Sequence, residues 1–114
     1  FDCWGFVRYV LKHEYRHDVP QVNVNAECLR DVLQAFRTDL AFRAFEEVPL
    51  PCDGDVVLMR QAKNPVHAGL WLEIDGGGVL HCVRGSGVVF QNIRSLNASG
   101  WFLDSFYRVK IKQV

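Results

Sequence analysis

The sequence has no excess of basic over acidic residues, or of acidic over basic residues, and no long hydrophobic run. Its 114 residues contain 13 lysines and arginines against 13 aspartates and glutamates, so the formal net charge is +0. Proteins that chiefly bind nucleic acid or anionic membranes rely on a basic surface, and the balance of charge argues against both classes of partner. No apolar run approaches the roughly 18 residues of a membrane-spanning helix, so we expect no membrane span.

The sequence also lacks the dense cysteine pattern of a disulfide framework. The four residues, Cys3, Cys28, Cys52 and Cys82, are widely and irregularly spaced, whereas a disulfide framework in so small a domain would usually be denser. No Cys-x-x-Cys spacing is present, which makes a metal site the weaker interpretation of these residue types. We therefore predict no metal, free thiols at Cys28 and Cys52, and a packing role for Cys82.

Apolar residues, in contrast, are plentiful. They make up 49% of the chain, which is enough for the core of a globular domain. The chain is too short for two domains, so we predict a single domain over residues 1–114. The first residue is Phe1 and not methionine. We therefore expect that residues upstream of this domain are missing.

The first segment has the periodicity of an amphipathic helix from Asp2 to about Tyr15. Its apolar face repeats at the helical spacing i, i+3, i+4, i+7 and consists of Cys3, Phe6, Val7, Val10 and Leu11. Asp2 is a suitable N-cap. A second helix is predicted after Asn25, with its apolar stripe between Leu29 and Phe36, and a third helical piece is predicted from Ala41 to Val48.

The second half of the chain changes to the pattern of extended strands. Strands are predicted at 56–59, 66–74, 79–83, 88–90 and 106–111, and glycine-rich turns separate several of them. Helices followed by antiparallel strands indicate an α+β architecture.

Cys3 is the strongest candidate for a nucleophile. A thiol in the first turn of a helix lies near unpaired amide N–H groups and the positive end of the helix dipole, which stabilise a thiolate. The same amides could donate hydrogen bonds to an oxyanion. A cysteine on an apolar helix face is equally well explained as a small core residue, and position alone leaves both interpretations open.

Two of the four histidines lie in strands. His13 and His17 lie near the end of the first helix and are expected to cap carbonyls or face solvent. His67 and His81 each lie in an apolar run, and the strands that carry them are joined by the turn at Gly76, Gly77 and Gly78, so their imidazoles are expected to be neighbours. A single histidine of this kind is usually a buried, satisfied residue. Two of them, together with Cys3, favour a Cys-His-His site.

Four motifs then occur in order: Asp2-Cys3-Trp4-Gly5-Phe6-Val7, Asp53-Gly54-Asp55-Val56-Val57-Leu58-Met59, Val66-His67-Ala68-Gly69-Leu70-Trp71-Leu72 and Leu80-His81-Cys82. Together they resemble the ordered motifs of NlpC/P60 cysteine peptidases across nearly the whole chain. Two further segments are most similar to members that phages and prophages encode as tail-associated proteins: Phe45-Glu46-Glu47-Val48-Pro49-Leu50 and Phe106-Tyr107-Arg108-Val109.

The resemblance implies a papain-like fold in which N-terminal helices pack on an antiparallel sheet. It implies that Cys3 attacks, that His67 is the general base and that His81 orients it. Asp2 and Trp4 flank the nucleophile in the sequence and are our candidates for contacts with the substrate. The family's usual substrate is a stem peptide of bacterial peptidoglycan, often cut between γ-D-glutamyl and a diamino acid, and no cofactor is implied.

Two alternatives share this resemblance. One is a structural component of a phage tail, whose partners would be other tail proteins. The other is amidase or acyl-transfer chemistry on the same fold, because the triad is common to these reactions and specificity lies in the loops. The resemblance implies a location in a virion tail or in the periplasm and cell wall.

Overall fold

A six-stranded sheet is the centre of the computed structural model, which describes residues 3–19, 45–61, 66–83 and 85–110. The elements in chain order are α1 (Cys3–Glu14), β1 (Phe45–Val48), β2 (Val56–Arg60), β3 (Val66–Leu72), β4 (Gly78–Val83), β5 (Gly87–Gln91), α2 (Ile93–Ala98) and β6 (Phe102–Val109). The strand order is β1-β6-β2-β3-β4-β5, and every neighbouring pair is antiparallel. This confirms the α+β architecture. Neither described helix is long and apolar enough to cross a bilayer.

The first helix forms where the periodicity predicts it and packs on one face of the sheet. Its stripe buries four side chains, Phe6, Val7, Val10 and Leu11. They join a core cluster with sheet residues of alternate positions, including Val56, Leu58, Ala68, Leu70 and Tyr107. We call this side of the sheet the α1 face. The strand residues that join this cluster are apolar, because they meet a helix that offers apolar side chains.

The opposite side, here called the α2 face, is covered by α2 and by the chain leading into β6. Its cluster contains Val57, Met59, Trp71, Val79 and Leu96, with Trp101, Leu103 and Phe106 packed against it. The register pairs Met59 with His67, and directly paired residues of an antiparallel ladder point to the same side. His67 therefore lies on the α2 face, although it belongs to an otherwise apolar strand.

Two contacts fix the end of α1 against the sheet. The Tyr15 hydroxyl donates to Asp53 Oδ2 at 2.8 Å, and the other oxygen of Asp53 accepts from the Glu73 amide at 2.8 Å. Glu73 follows β3 directly, so α1 ends beside the end of β3. The turn before β2 is held in addition by Arg108, whose guanidinium binds both oxygens of the buried Asp55 at 3.0 and 2.8 Å.

Several predicted boundaries are wrong. The predicted helix over Ala41 to Val48 is replaced at Phe45–Val48 by β1, which pairs with β6 and leaves Glu46 and Glu47 exposed. An alternating strand on a sheet edge accommodates two adjacent glutamates better than an apolar helix stripe does. Ile74 lies outside β3 and is half exposed. The helix predicted after Asn25 lies outside the described residues.

Candidate active site

Cys3 is the first residue of α1, and its thiol is not part of a disulfide. Its side chain is half-buried against the α1-face cluster. The position in the first turn is the one the sequence predicts, at the positive end of the helix dipole. The residue therefore combines partial packing with the electrostatic setting of a reactive thiol.

The structure brings His67 and His81 into direct contact. His67 Nε2 and His81 Nδ1 are 2.8 Å apart, and the rings meet nearly edge to face with centroids 5.0 Å apart. His81 is fully buried, whereas His67 is half-buried. The expected neighbourhood of the two imidazoles is confirmed. It arises because β3 and β4 are adjacent and Gly69 lies opposite His81: a Cβ at Gly69 would lie 3.1 Å from His81 Cβ and 2.9 Å from the Leu80 carbonyl oxygen.

The hydrogen bonds continue from His81 to the junction of β5 and α2. His81 Nε2 lies 2.8 Å from Gln91 Oε1. The amide nitrogen of Gln91 donates to the Ser95 and Ser99 hydroxyls at 2.9 and 3.0 Å, and Ser99 in turn donates to the Ser95 carbonyl at 3.0 Å. Asn92 caps the helix through the Ser95 amide at 2.8 Å, which holds these residues in place.

Trp101 covers the exposed side of His67. The two rings are 5.0 Å apart between centroids and inclined by only 30°. The Trp101 amide donates to the Leu96 carbonyl at 2.9 Å, which fixes the residue just after α2. The indole thus separates His67 from water on one side and leaves the imidazole edges for hydrogen bonds.

Both histidines are neutral at pH 7. Burial, together with the charge of a protonated His81, lowers the pKa of His67 to about 4. Burial also lowers the pKa of His81, although its hydrogen bond to Gln91 acts in the opposite direction. A neutral imidazole is the form that can accept a proton from a thiol.

The segment from His13 to His17 also has the His-Glu-x-x-His spacing of helical zinc sites. That chemistry requires both histidines on one helix face. Here α1 ends at Glu14, and Arg16 turns the chain with φ of 58°. Among the residues that the structure describes, no group of three His, Cys, Asp or Glu side chains is close enough to hold a metal ion.

The arrangement now described is a helix-start cysteine and a histidine pair on adjacent antiparallel strands. The family model for the NlpC/P60 family matches residues 1–106. The chain belongs to the NlpC/P60 family. No curated protein matches it significantly. Membership in the NlpC/P60 family indicates a hydrolase that acts on peptidoglycan.

The remaining predicted site residues have different outcomes. Trp4 is half-buried against the α1-face cluster and its ring is tilted against Phe45 at 6.1 Å. Asp2 and Cys28 lie outside the described residues. Cys82 packs on the α1 face while its neighbour His81 faces the other way, as strand alternation predicts. Cys52 is a free, exposed thiol.

Sequence reasoning missed Gln91 and Trp101. The predicted strand at 88–90 stops one residue before Gln91, and tryptophan is most simply a core residue. The strand pattern could have indicated Gln91. If the predicted strand is extended by one residue, Gln91 lies on the same side of the sheet as Val89, which pairs with His81. The six-residue helix α2, with Leu96 as its buried residue, has no stripe that a periodicity search could detect.

Proposed function

We propose that this NlpC/P60 protein is a cysteine endopeptidase that cleaves stem peptides of peptidoglycan. Cys3 is the nucleophile, His67 the general base and His81 the residue that orients His67. The proposal is carried by the 2.8 Å contact between His67 Nε2 and His81 Nδ1. That contact occupies one nitrogen of the base. Because Cys3 packs on the α1 face and His67 lies on the α2 face, the proposal also requires the thiol to reach the other nitrogen, Nδ1, past the start of β3.

The reaction follows from these roles. His67 Nδ1 takes the thiol proton, and the Cys3 sulfur forms a bond to the carbonyl carbon of the scissile amide. The amide N–H groups of the first turn of α1 stabilise the oxyanion. The C–N bond then breaks and His67 returns its proton to the leaving amine. Water, deprotonated by the same imidazole, hydrolyses the thioester and restores the thiol.

The bond between γ-D-glutamyl and a diamino acid is the substrate bond we propose, because it is the usual one for the family that the motifs resemble. The protein carries no formal net charge. A neutral domain is compatible with a groove for short peptides and has no general attraction for polyanions.

Substitution of the nucleophile tests the proposal directly. Purified protein is incubated with peptidoglycan, and the released fragments are identified by mass spectrometry. Cys3→Ala should reduce fragment release by at least about 10³-fold, because the thioester cannot form. Cys82→Ala is the matched control, since it removes another half-buried thiol that packs on the same cluster. Equal release by Cys3→Ala and the unaltered protein would exclude the mechanism.

The masses of the fragments also separate the related chemistries. A new amino terminus at the diamino acid identifies the proposed endopeptidase. Release of the intact stem from the glycan identifies an amidase, and a product enlarged by a second amine identifies acyl transfer. All three use the same base and differ in the acceptor and the bond.

A structural role in a phage tail is the second candidate. The two segments most similar to tail-associated members, residues 45–50 and 106–109, contain β1 and the end of β6, which pair with each other at the sheet edge. An edge strand is available for pairing with another chain. If assembly is the main role, Cys3 in the folded protein should not react with a thiol-directed probe, whereas the exposed Cys52 should. Rapid labelling of Cys3 would favour the enzyme.

A further inference from the structure

The hydrogen bonds beyond His81 determine where its protons lie. The Ser95 carbonyl can only accept a hydrogen bond, so the Ser99 hydroxyl must be the donor. The Ser99 oxygen is then an acceptor toward Gln91. This orients the Gln91 side chain with its nitrogen toward the serines and its Oε1 toward His81.

The same reasoning continues through both imidazoles. Gln91 Oε1 can only accept, so His81 Nε2 carries a proton. A neutral imidazole has one N–H, which leaves His81 Nδ1 as an acceptor. His67 must then donate from Nε2 across the 2.8 Å contact. His67 Nδ1 is left with a lone pair.

We propose that Gln91, held by Ser99, is a positioning residue that fixes the tautomer of both histidines and keeps His67 Nδ1 ready to accept a proton. The opposite tautomers would place a lone pair of His81 Nε2 against a lone pair of Gln91 Oε1, and rotating the amide would cost its bond to Ser99. The proton arrangement is a property of the folded chain alone. Its use in catalysis rests on the proposed function.

The tautomers can be measured without any activity. Heteronuclear long-range correlation spectra of the imidazole nitrogens distinguish N–H at Nδ1 from N–H at Nε2. Recorded near pH 7 and assigned with His13→Gln and His17→Gln variants, they should show Nε2–H for both His67 and His81. A wild-type His67 with its proton on Nδ1 would overturn the proposal.

Three variants then test the role of the amide. Gln91→Met keeps the size of the side chain but removes the acceptor, so His81 and His67 should change to a mixture of tautomers. Gln91→Glu keeps an acceptor and should retain Nε2–H on both rings. Ser99→Ala frees the amide to rotate and should give a weaker version of the Met effect. Asn97→Ala, on the exposed side of the same helix, is the control and should change nothing.

Peptidoglycan hydrolysis provides the second measurement. Gln91→Met should lower kcat about 10- to 100-fold with little change in KM, by analogy with the loss when the hydrogen-bond partners of metal-ligating histidines are removed. Gln91→Glu should recover the rate and move the acid limb of the pH profile to higher pH, because a carboxylate favours protonated histidines. Unchanged tautomers and rate in Gln91→Met would contradict the proposal. A protein with the expected tautomers and no hydrolysis in any form would instead contradict the proposed function.

Discussion

The two faces of the sheet are built on different principles. The α1 face is closed by an apolar helix stripe, and the sheet residues that meet it are apolar throughout their cluster. The α2 face contains a comparable apolar cluster, but next to it lies a chain of polar side chains from His67 through His81 and Gln91 to two serines. The α1 face should therefore tolerate apolar substitutions that conserve side-chain volume. The polar chain on the α2 face depends instead on each of its hydrogen bonds.

Leu70 offers the largest expected effect on stability. It is fully buried in the α1-face cluster, and Leu70→Ala should lower the free energy of unfolding by about 2–5 kcal/mol, because it removes apolar contacts and leaves a cavity. Chemical denaturation measures the loss. At temperatures where the variant is fully folded, the tautomers of His67 and His81 should be those of the unaltered protein, because the polar chain lies on the other face. A change of tautomer in the folded variant would show that the faces are not independent.

The pH dependence of stability should come from the α2 face. Folding lowers the pKa of His67 to about 4, whereas an unfolded histidine titrates near 6.5. The unfolded chain therefore binds more protons between these values, so stability is full above about pH 6.5 and falls as the pH drops toward 4. The loss attributable to His67 should be at most about 3 kcal/mol.

Unfolding measured at a series of pH values tests this. His67→Gln should flatten the dependence, whereas His13→Gln, at an exposed position on α1, should leave it unchanged. A dependence of the same steepness in His67→Gln would assign the effect to other groups.

Gly69 tests how closely the two strands must approach. A Cβ at this position would come within 2.5 Å of Val79 Cγ1 as well as 2.9 Å of a backbone oxygen. Gly69→Ala should cost about 1–3 kcal/mol of stability through overpacking, and it should lower activity further by shifting His81 relative to His67. Ala68→Gly, on the neighbouring α1-face position, is the control: it should reduce stability while the tautomers of His67 and His81 in the folded protein remain unchanged.

The smallest effect is expected at the end of α1. Tyr15→Phe removes the hydrogen bond to Asp53 and should cost about 0.5–1.5 kcal/mol, because the bond is exposed and water replaces it. Thermal denaturation resolves such a change. Activity should not change, and a marked loss of activity would mean that the end of α1 influences the site at its other end.

The same contrast explains what the sequence could predict. Helix α1 was predictable because its stripe meets an apolar face, and the His67–His81 contact followed from two strands joined at a glycine turn. The strand at Phe45–Val48 was not predictable, because a segment of four residues with apolar ends fits both the helical and the strand period. Only its pairing with β6 decides between them. The contacts of Gln91 with His81, Ser95 and Ser99 were not predictable either. A sequence does not show whether a polar side chain faces water or a buried imidazole.

The polar chain has one property that an acidic residue in its place would not provide. From the Ser99 hydroxyl to His67 it consists of neutral groups at pH 7, in a partly buried setting. Dissolved ions screen interactions between charged groups, and they should therefore have little effect on hydrogen bonds between these neutral groups. The orientation of the histidine pair should therefore be nearly the same in dilute buffer and in concentrated salt.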